Sequence, residues 1–166
     1  MERKMYHTQE KRKTRLSSPK PCTRDDAWLG NGYYFWYDEI DAIHWGNNSK
    51  TKTGSFEIYK ALINLDNILD TVFNEEHYQF WMKQIEKAAK AIIKITGKKP
   101  TLKEINQYFQ ERSKWQDITK GILFQDLPNS DDLLVSGLYY RKRIQLAAYD
   151  LGIVSEFCFQ EEMNCN

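Results

Sequence analysis

From Leu29 the chain reads Leu-Gly-Asn-Gly-Tyr-Tyr-Phe-Trp. Gly30 and Gly32 flank one residue and lead straight into Tyr33, Tyr34, Phe35 and Trp36. Glycine admits positive φ and close approach of backbones, while aromatic residues favour a pleated, half-buried strand. The stretch is therefore either a loop feeding a core strand or a platform on which something planar sits. Trp45, in a following segment of helical character, is the natural second ring. Two facing rings hold a flat ligand by stacking, on the order of 1 kcal/mol beyond area burial, and a cationic ligand adds a cation–π contribution of similar size. In the plainer reading both rings fill the core beneath a sheet. His7, His44 and His77 are the other groups that could do chemistry, although a lone histidine is more often structural than catalytic. Cys22, Cys158 and Cys165 form no C-x-x-C pair, so neither a metal site nor a disulfide framework is expected.

A chain of 166 residues is most simply one domain, 1–166, able to bury its own core. Its 41% hydrophobic and 28% charged residues are those of a globular protein, and 14% aromatics exceed what a minimal core demands. A net charge of +1 argues against overall steering toward nucleic acid or anionic membrane. Residues 1–24 nonetheless carry eight Lys/Arg against Glu2 and Glu10, which reads as a solvated arm or ligand-approach loop ahead of a nucleic-acid grip. No apolar run approaches a membrane span, and no signal-peptide core opens the chain. The expected setting is reducing and cytoplasmic, away from membranes.

The elements that must position these residues follow from periodicity and punctuation. Lys4–His7 is a short strand, 16–28 an irregular loop, and Tyr33–Tyr37 a strand. Asp38 caps a helix reaching Trp45, and Phe56–Leu65 is a strand. Between Glu75 and Ile95 apolar residues recur at helical spacing, with Gly97 as the stop. Thr101 and Glu104 form a capping box for a second helix ending near Trp115. Short strands follow at 121–124, 143–149 and 155–160. Strands around a helical middle argue an α+β fold with an antiparallel or mixed sheet.

In this order the pieces resemble the ADP-ribosyltransferase superfamily, in its diphtheria-toxin and poly(ADP-ribose)-polymerase-like branch. Three motifs carry the resemblance. An early strand ends in Tyr6-His7-Thr8-Gln9, where the family has aromatic-His-Gly-Ser/Thr. Gly30-Asn31-Gly32-Tyr33-Tyr34-Phe35 matches Gly-x-Gly-apolar-Tyr-Phe, with Trp45 as the aromatic 11 residues after the tyrosine. The third is a late strand led by Glu or a substitute, here Gln145 in Arg-Ile-Gln-Leu-Ala-Ala-Tyr-Asp. The family scaffold accounts for about two thirds of the chain, and the helical stretch at about 72–116 looks like an insertion on it.

The resemblance implies a split β-sheet core, NAD as substrate, and a site built from His7, Tyr34 and Gln145 as catalytic positions with Thr8, Gly32 and Trp45 also binding NAD. His7 would orient NAD by donating a hydrogen bond to a ribose hydroxyl, without acting as a base, and Tyr34 and Trp45 would sandwich nicotinamide. Glu156 is the alternative third residue: its carboxylate would better stabilise an oxocarbenium-like sugar, but it falls on the closing strand, so Gln145 ranks ahead. Small Ala147 would leave room for that sugar. Thr8 replaces the glycine whose backbone pairs with the nicotinamide amide, and Ala42 stands where a serine hydroxyl is usual. No polymer-elongation apparatus is visible.

The leading expectation is thus a mono-ADP-ribosyltransferase, a toxin-like effector acting on a protein or nucleic-acid acceptor, with an antitoxin or regulatory protein as a further partner. An NAD glycohydrolase on the same scaffold, and a non-catalytic module binding NAD, ADP-ribose or nucleic acid, are the alternatives. The last draws on Gln145 and the basic run.

Overall fold

The computed structural model describes residues 1–24, 27–126 and 142–166; Asp25 and Asp26 of the expected 16–28 loop lie outside them. In chain order the elements are β1 (Glu2–Glu10), β2 (Tyr33–Trp36), α1 (Glu39–Ser49), β3 (Ser55–Asn64), β4 (Leu69–Asp70), α2 (Glu75–Thr96), α3 (Leu102–Arg112), a single turn α4 (Trp115–Ile118), β5 (Gly121–Asp126), β6 (Arg143–Ala148) and β7 (Val154–Asn164). The expected α+β class holds, with one mixed sheet of seven strands in the order β4-β5-β6-β2-β1-β3-β7. β4 runs parallel to β5; the other neighbours are antiparallel.

The pairing is uneven. β1 and β3 stay in register from Glu2↔Asn64 to Glu10↔Phe56, and β2 and β6 from Tyr33↔Ala148 to Trp36↔Gln145. Between β1 and β2 the register holds only at Tyr6↔Trp36. Two half-sheets, β4-β5-β6-β2 and β1-β3-β7, therefore meet at one residue pair and part beyond it.

Strand alternation divides the core. Met5, Phe35, Leu123, Ile144, Leu146 and Ala148 pack on one face. On the other, α1 covers the β1–β3 side through Ala42, Ile43, Phe56 and Ile58, while α2 and α3 cover the β5–β6 side through Trp81, Ile105, Phe109, Ile122 and Ala147. α2 ends as expected, with Gly97 left-handed at φ 69°. α3 carries the expected box: Glu104 N–H donates to the Thr101 hydroxyl while Thr101 N–H donates to the Glu104 carboxylate.

Some boundaries differ. β1 is nine residues rather than four, because its exposed Lys and Glu side chains hide a strand that the β3 ladder enforces. β7 likewise runs past 160 to Asn164, held by β3. Asp38 caps α1 by backbone position alone, without a side-chain hydrogen bond.

Candidate functional site at the split of the sheet

Where the half-sheets part, a cleft of about 830 Å³ opens. His7, Thr8, Tyr34, Trp45 and Gln145 line it, drawn from β1, β2, α1 and β6. Five of the residues singled out from sequence thus come together. Two do not. Gly32 is off the cleft: a Cβ there would sit 2.9 Å from the Ala148 carbonyl oxygen, so its close approach is to β6 rather than to a ligand. Gly30, at φ 86°, turns the chain against the Gln110 side chain. Glu156 lies on the edge strand β7, exposed and outside the cleft, at φ 51°. The β3–β7 register breaks there between Lys60 and Leu62. The extra residue of such a bulge is where a left-handed conformation is found in one bulge class. The expected room beside Ala147 is also absent, since Ala147 is fully buried against the helices.

His7 sits where β1 and β2 diverge. Its Nδ1 lies 2.9 Å from the Tyr34 carbonyl, which can only accept, so Nδ1 carries the proton. The ring thereby ties the two half-sheets just beyond the last paired residues. Burial lowers its pKa, against smaller opposing effects of the Tyr34 carbonyl and Gln9. In the neutral ring Nε2 is then an acceptor rather than the expected donor to a ribose hydroxyl, and it lies 3.4 Å from the Gln9 side-chain amide, whose NH₂ must face it for the two to bond.

Tyr34 anchors its hydroxyl on the Gly30 carbonyl at 2.7 Å, which fixes the ring along the cleft wall. Trp45 meets Trp36, with ring centroids 5.9 Å apart and planes tilted by 46°. Trp36 and Tyr34 share one face of β2, so the aromatic lining is Tyr34, Trp36 and Trp45, with Trp28 from the preceding loop. Thr8 donates its hydroxyl to the Ala42 carbonyl at 2.8 Å, pinning β1 to α1. His44 and His77 have local tasks: one bonds Asn48 and the other accepts from Asp70 N–H.

Charged residues complete the lining: Glu10, Arg12, Lys20 and Arg24 belong to the basic run read as an arm or ligand-approach loop, while Lys50, Asp126 and Arg143 were missed from sequence. Arg12, Lys20, Arg24, Lys50 and Arg143 face Glu10 and Asp126. Glu10 lies 3.4 Å from Lys50 and 2.9 Å from Arg12. Burial pushes the Glu10 carboxyl up, but its own backbone N–H and those two cations outweigh this and hold it below the usual range. Arg143 donates to Asp126 at 2.7 Å, with Gln145 beside them.

The loop over the cleft is held by α3. Lys103 donates to the Arg24 carbonyl, Asn106 to the Trp28 carbonyl at 2.8 Å, and Gln110 to the Asn31 carbonyl at 3.0 Å. These three residues recur on one helical face. The helical lobe lines no part of the cleft, yet it carries the loop that does.

Compared with protein-family models, with curated proteins and with solved structures, the chain matches none. No helix among the described residues is long and apolar enough to cross a membrane.

Proposed function

We propose that this cleft binds NAD and that the protein is a mono-ADP-ribosyltransferase resembling the diphtheria-toxin and poly(ADP-ribose)-polymerase-like branch. The observation that carries the reading is convergence: His7, Thr8, Tyr34, Trp45 and Gln145, from four elements, line one cleft. Its volume of about 830 Å³ falls within the range of small-molecule and cofactor sites.

In this reading nicotinamide lies against Tyr34 and the Trp36–Trp45 pair, the adjoining ribose meets Gln145 beside His7, and the surplus of lysines and arginines faces the pyrophosphate. The C1′–N bond breaks with its electron pair passing to the pyridinium nitrogen. Nicotinamide leaves neutral and the ribose becomes an oxocarbenium-like cation. An oxygen or nitrogen of the acceptor, protein or nucleic acid, then bonds to C1′ and gives its proton to solvent. The aromatic faces and the Gln145 amide dipole would stabilise the developing charge. A toxin-like effector checked by an antitoxin is the biological form of this reading, on family analogy alone.

One observation favours a second reading. Among the described residues, both carboxylates lining the cleft are engaged, Glu10 by Arg12 and Lys50 and Asp126 by Arg143. A site whose negative charges are already neutralised suits binding of NAD or ADP-ribose without rapid cleavage. Incubating the protein with labelled NAD and crude cell extract, then separating protein, nucleic acid and small molecules, distinguishes these outcomes. Label on a macromolecule supports the transferase. Free ADP-ribose alone identifies a glycohydrolase, and NAD retained unchanged identifies a binder. NAD neither retained nor changed overturns the assignment.

A further inference from the structure

Asp126 ends β5, Arg143 opens β6, and the two are direct cross-strand partners. Their side chains are only 6% and 16% exposed, and Arg143 Nη2 donates to Asp126 Oδ2 at 2.7 Å. Gln145, two residues along β6 and therefore on the same face, directs Nε2 to that same Oδ2 at 3.5 Å. An ionised carboxylate accepts and never donates. The Gln145 amide must accordingly turn its NH₂ toward Asp126, which leaves Oε1 on the other side, toward the cleft.

We propose that the Asp126–Arg143 pair is a positioning device that fixes Gln145 with its carbonyl oxygen facing the cleft, so that this wall reads a hydroxyl donor on the ligand. The amide alone would be ambiguous, since an NH₂ and an oxygen can exchange places by rotation about the last side-chain bond. Arg143 supplies what makes the choice stable: it anchors the carboxylate that selects the orientation. A carbonyl oxygen at this wall suits a ligand hydroxyl better than a carbonyl, carboxylate or phosphate, none of which can donate. Assigning that hydroxyl to the nicotinamide ribose rests on the NAD reading; the orientation of Gln145 does not.

The test replaces both members of the pair. Asp126→Leu with Arg143→Met exchanges a buried ion pair for apolar side chains, which is often neutral for stability, whereas removing one partner strands a buried charge. Asp126→Asn is a milder companion, because its amide can donate as well as accept. The first readout is the Gln145 side-chain NH₂ resonance pair in an ¹⁵N-labelled sample, identified by its loss in Gln145→Glu. Slow solvent exchange in the wild type that becomes fast in the double variant is the expected result. Exchange equal in both proteins overturns the proposal.

The second readout is affinity for NAD carrying hydroxyl, hydrogen or fluorine at the 2′ position of the nicotinamide ribose. Fluorine cannot donate, so facing Oε1 it should bind about tenfold more weakly than the hydroxyl, and more weakly than hydrogen. That order should disappear in the double variant and shrink in Asp126→Asn. Fluorine tolerated as well as hydroxyl by the wild type would overturn the oxygen-first orientation. If the NH₂ resonances respond while no dinucleotide binds, the positioning role is upheld and the NAD reading fails.

Discussion

Replacing Gly46 by alanine sets two effects of opposite sign against each other. Gly46 lies inside α1, where alanine is favoured over glycine by about 1 kcal/mol. A Cβ at this position would, however, lie 2.4 Å from both Cδ2 and Cε2 of Phe56. Carbon atoms in contact prefer about 3.5–4.0 Å, so the ring or the helix must give way by roughly 1 Å. Phe56 is fully buried among Ala42, Ile58 and Trp36, and has nowhere to go. Overpacking of this kind costs about 1–3 kcal/mol, and an overlap this deep belongs at the top of that range. The expected net loss is about 2 kcal/mol, or roughly 4–8 °C in Tm for a chain of this length. Trp45 is the neighbouring residue and moves with α1, so ligand affinity of the cleft should fall as well. Thermal and urea unfolding of Gly46→Ala measure the first effect. A Tm equal to or above that of the wild type would show that helix propensity wins and that α1 is not seated on Phe56 as described.

Three further outcomes are expected. His7 titrates below its unfolded value of about 6.5. The unfolded chain therefore binds the proton first, and stability is lost as pH falls below about 6.5, by at most about 1.4 kcal/mol per pH unit. His7→Gln should flatten that slope in denaturant titrations between pH 7.5 and 5, and an unchanged slope would dismiss His7 as its source. Asn106→Ala removes the donor to the Trp28 and Leu102 carbonyls. It should cost about 1–3 kcal/mol and speed amide exchange at Trp28–Gly30; unchanged exchange there would mean α3 does not hold the loop. Thr101→Ala breaks the capping box of α3 and should cost about 1 kcal/mol, with a loss beyond 3 kcal/mol in urea unfolding counting against a local cap.

Legibility in the sequence followed the range of the interactions. α2 and α3 were readable because their signals are local: helical spacing, the Gly97 stop, and the Thr101–Glu104 box lie within a few residues of the structure they specify. Most strands were readable in place but not in length, since β1 and β7 owe their outer residues to β3. β4 escaped notice because two residues, Leu69 and Asp70, become a strand only through parallel pairing with β5. The cleft shows the same division. His7, Thr8, Tyr34, Trp45 and Gln145 could be picked out by ordered motif, and they meet. Asp126 and Arg143 could not, because their partnership depends on the β5–β6 register, to which the sequence holds no local clue. Gly32 was assigned to a ligand when its constraint is the Ala148 carbonyl, a contact across the sheet.

The central claim is that NAD lies in the cleft with its nicotinamide on Tyr34. Calorimetric titration of NAD into the wild type and Tyr34→Ala tests it most directly, with circular dichroism confirming that the variant is folded. Loss of the ring removes a stacking surface and its burial, so affinity should fall by about 1–3 kcal/mol, roughly fivefold to more than a hundredfold. Equal affinity in the two folded proteins, or no binding to the wild type, would contradict the account.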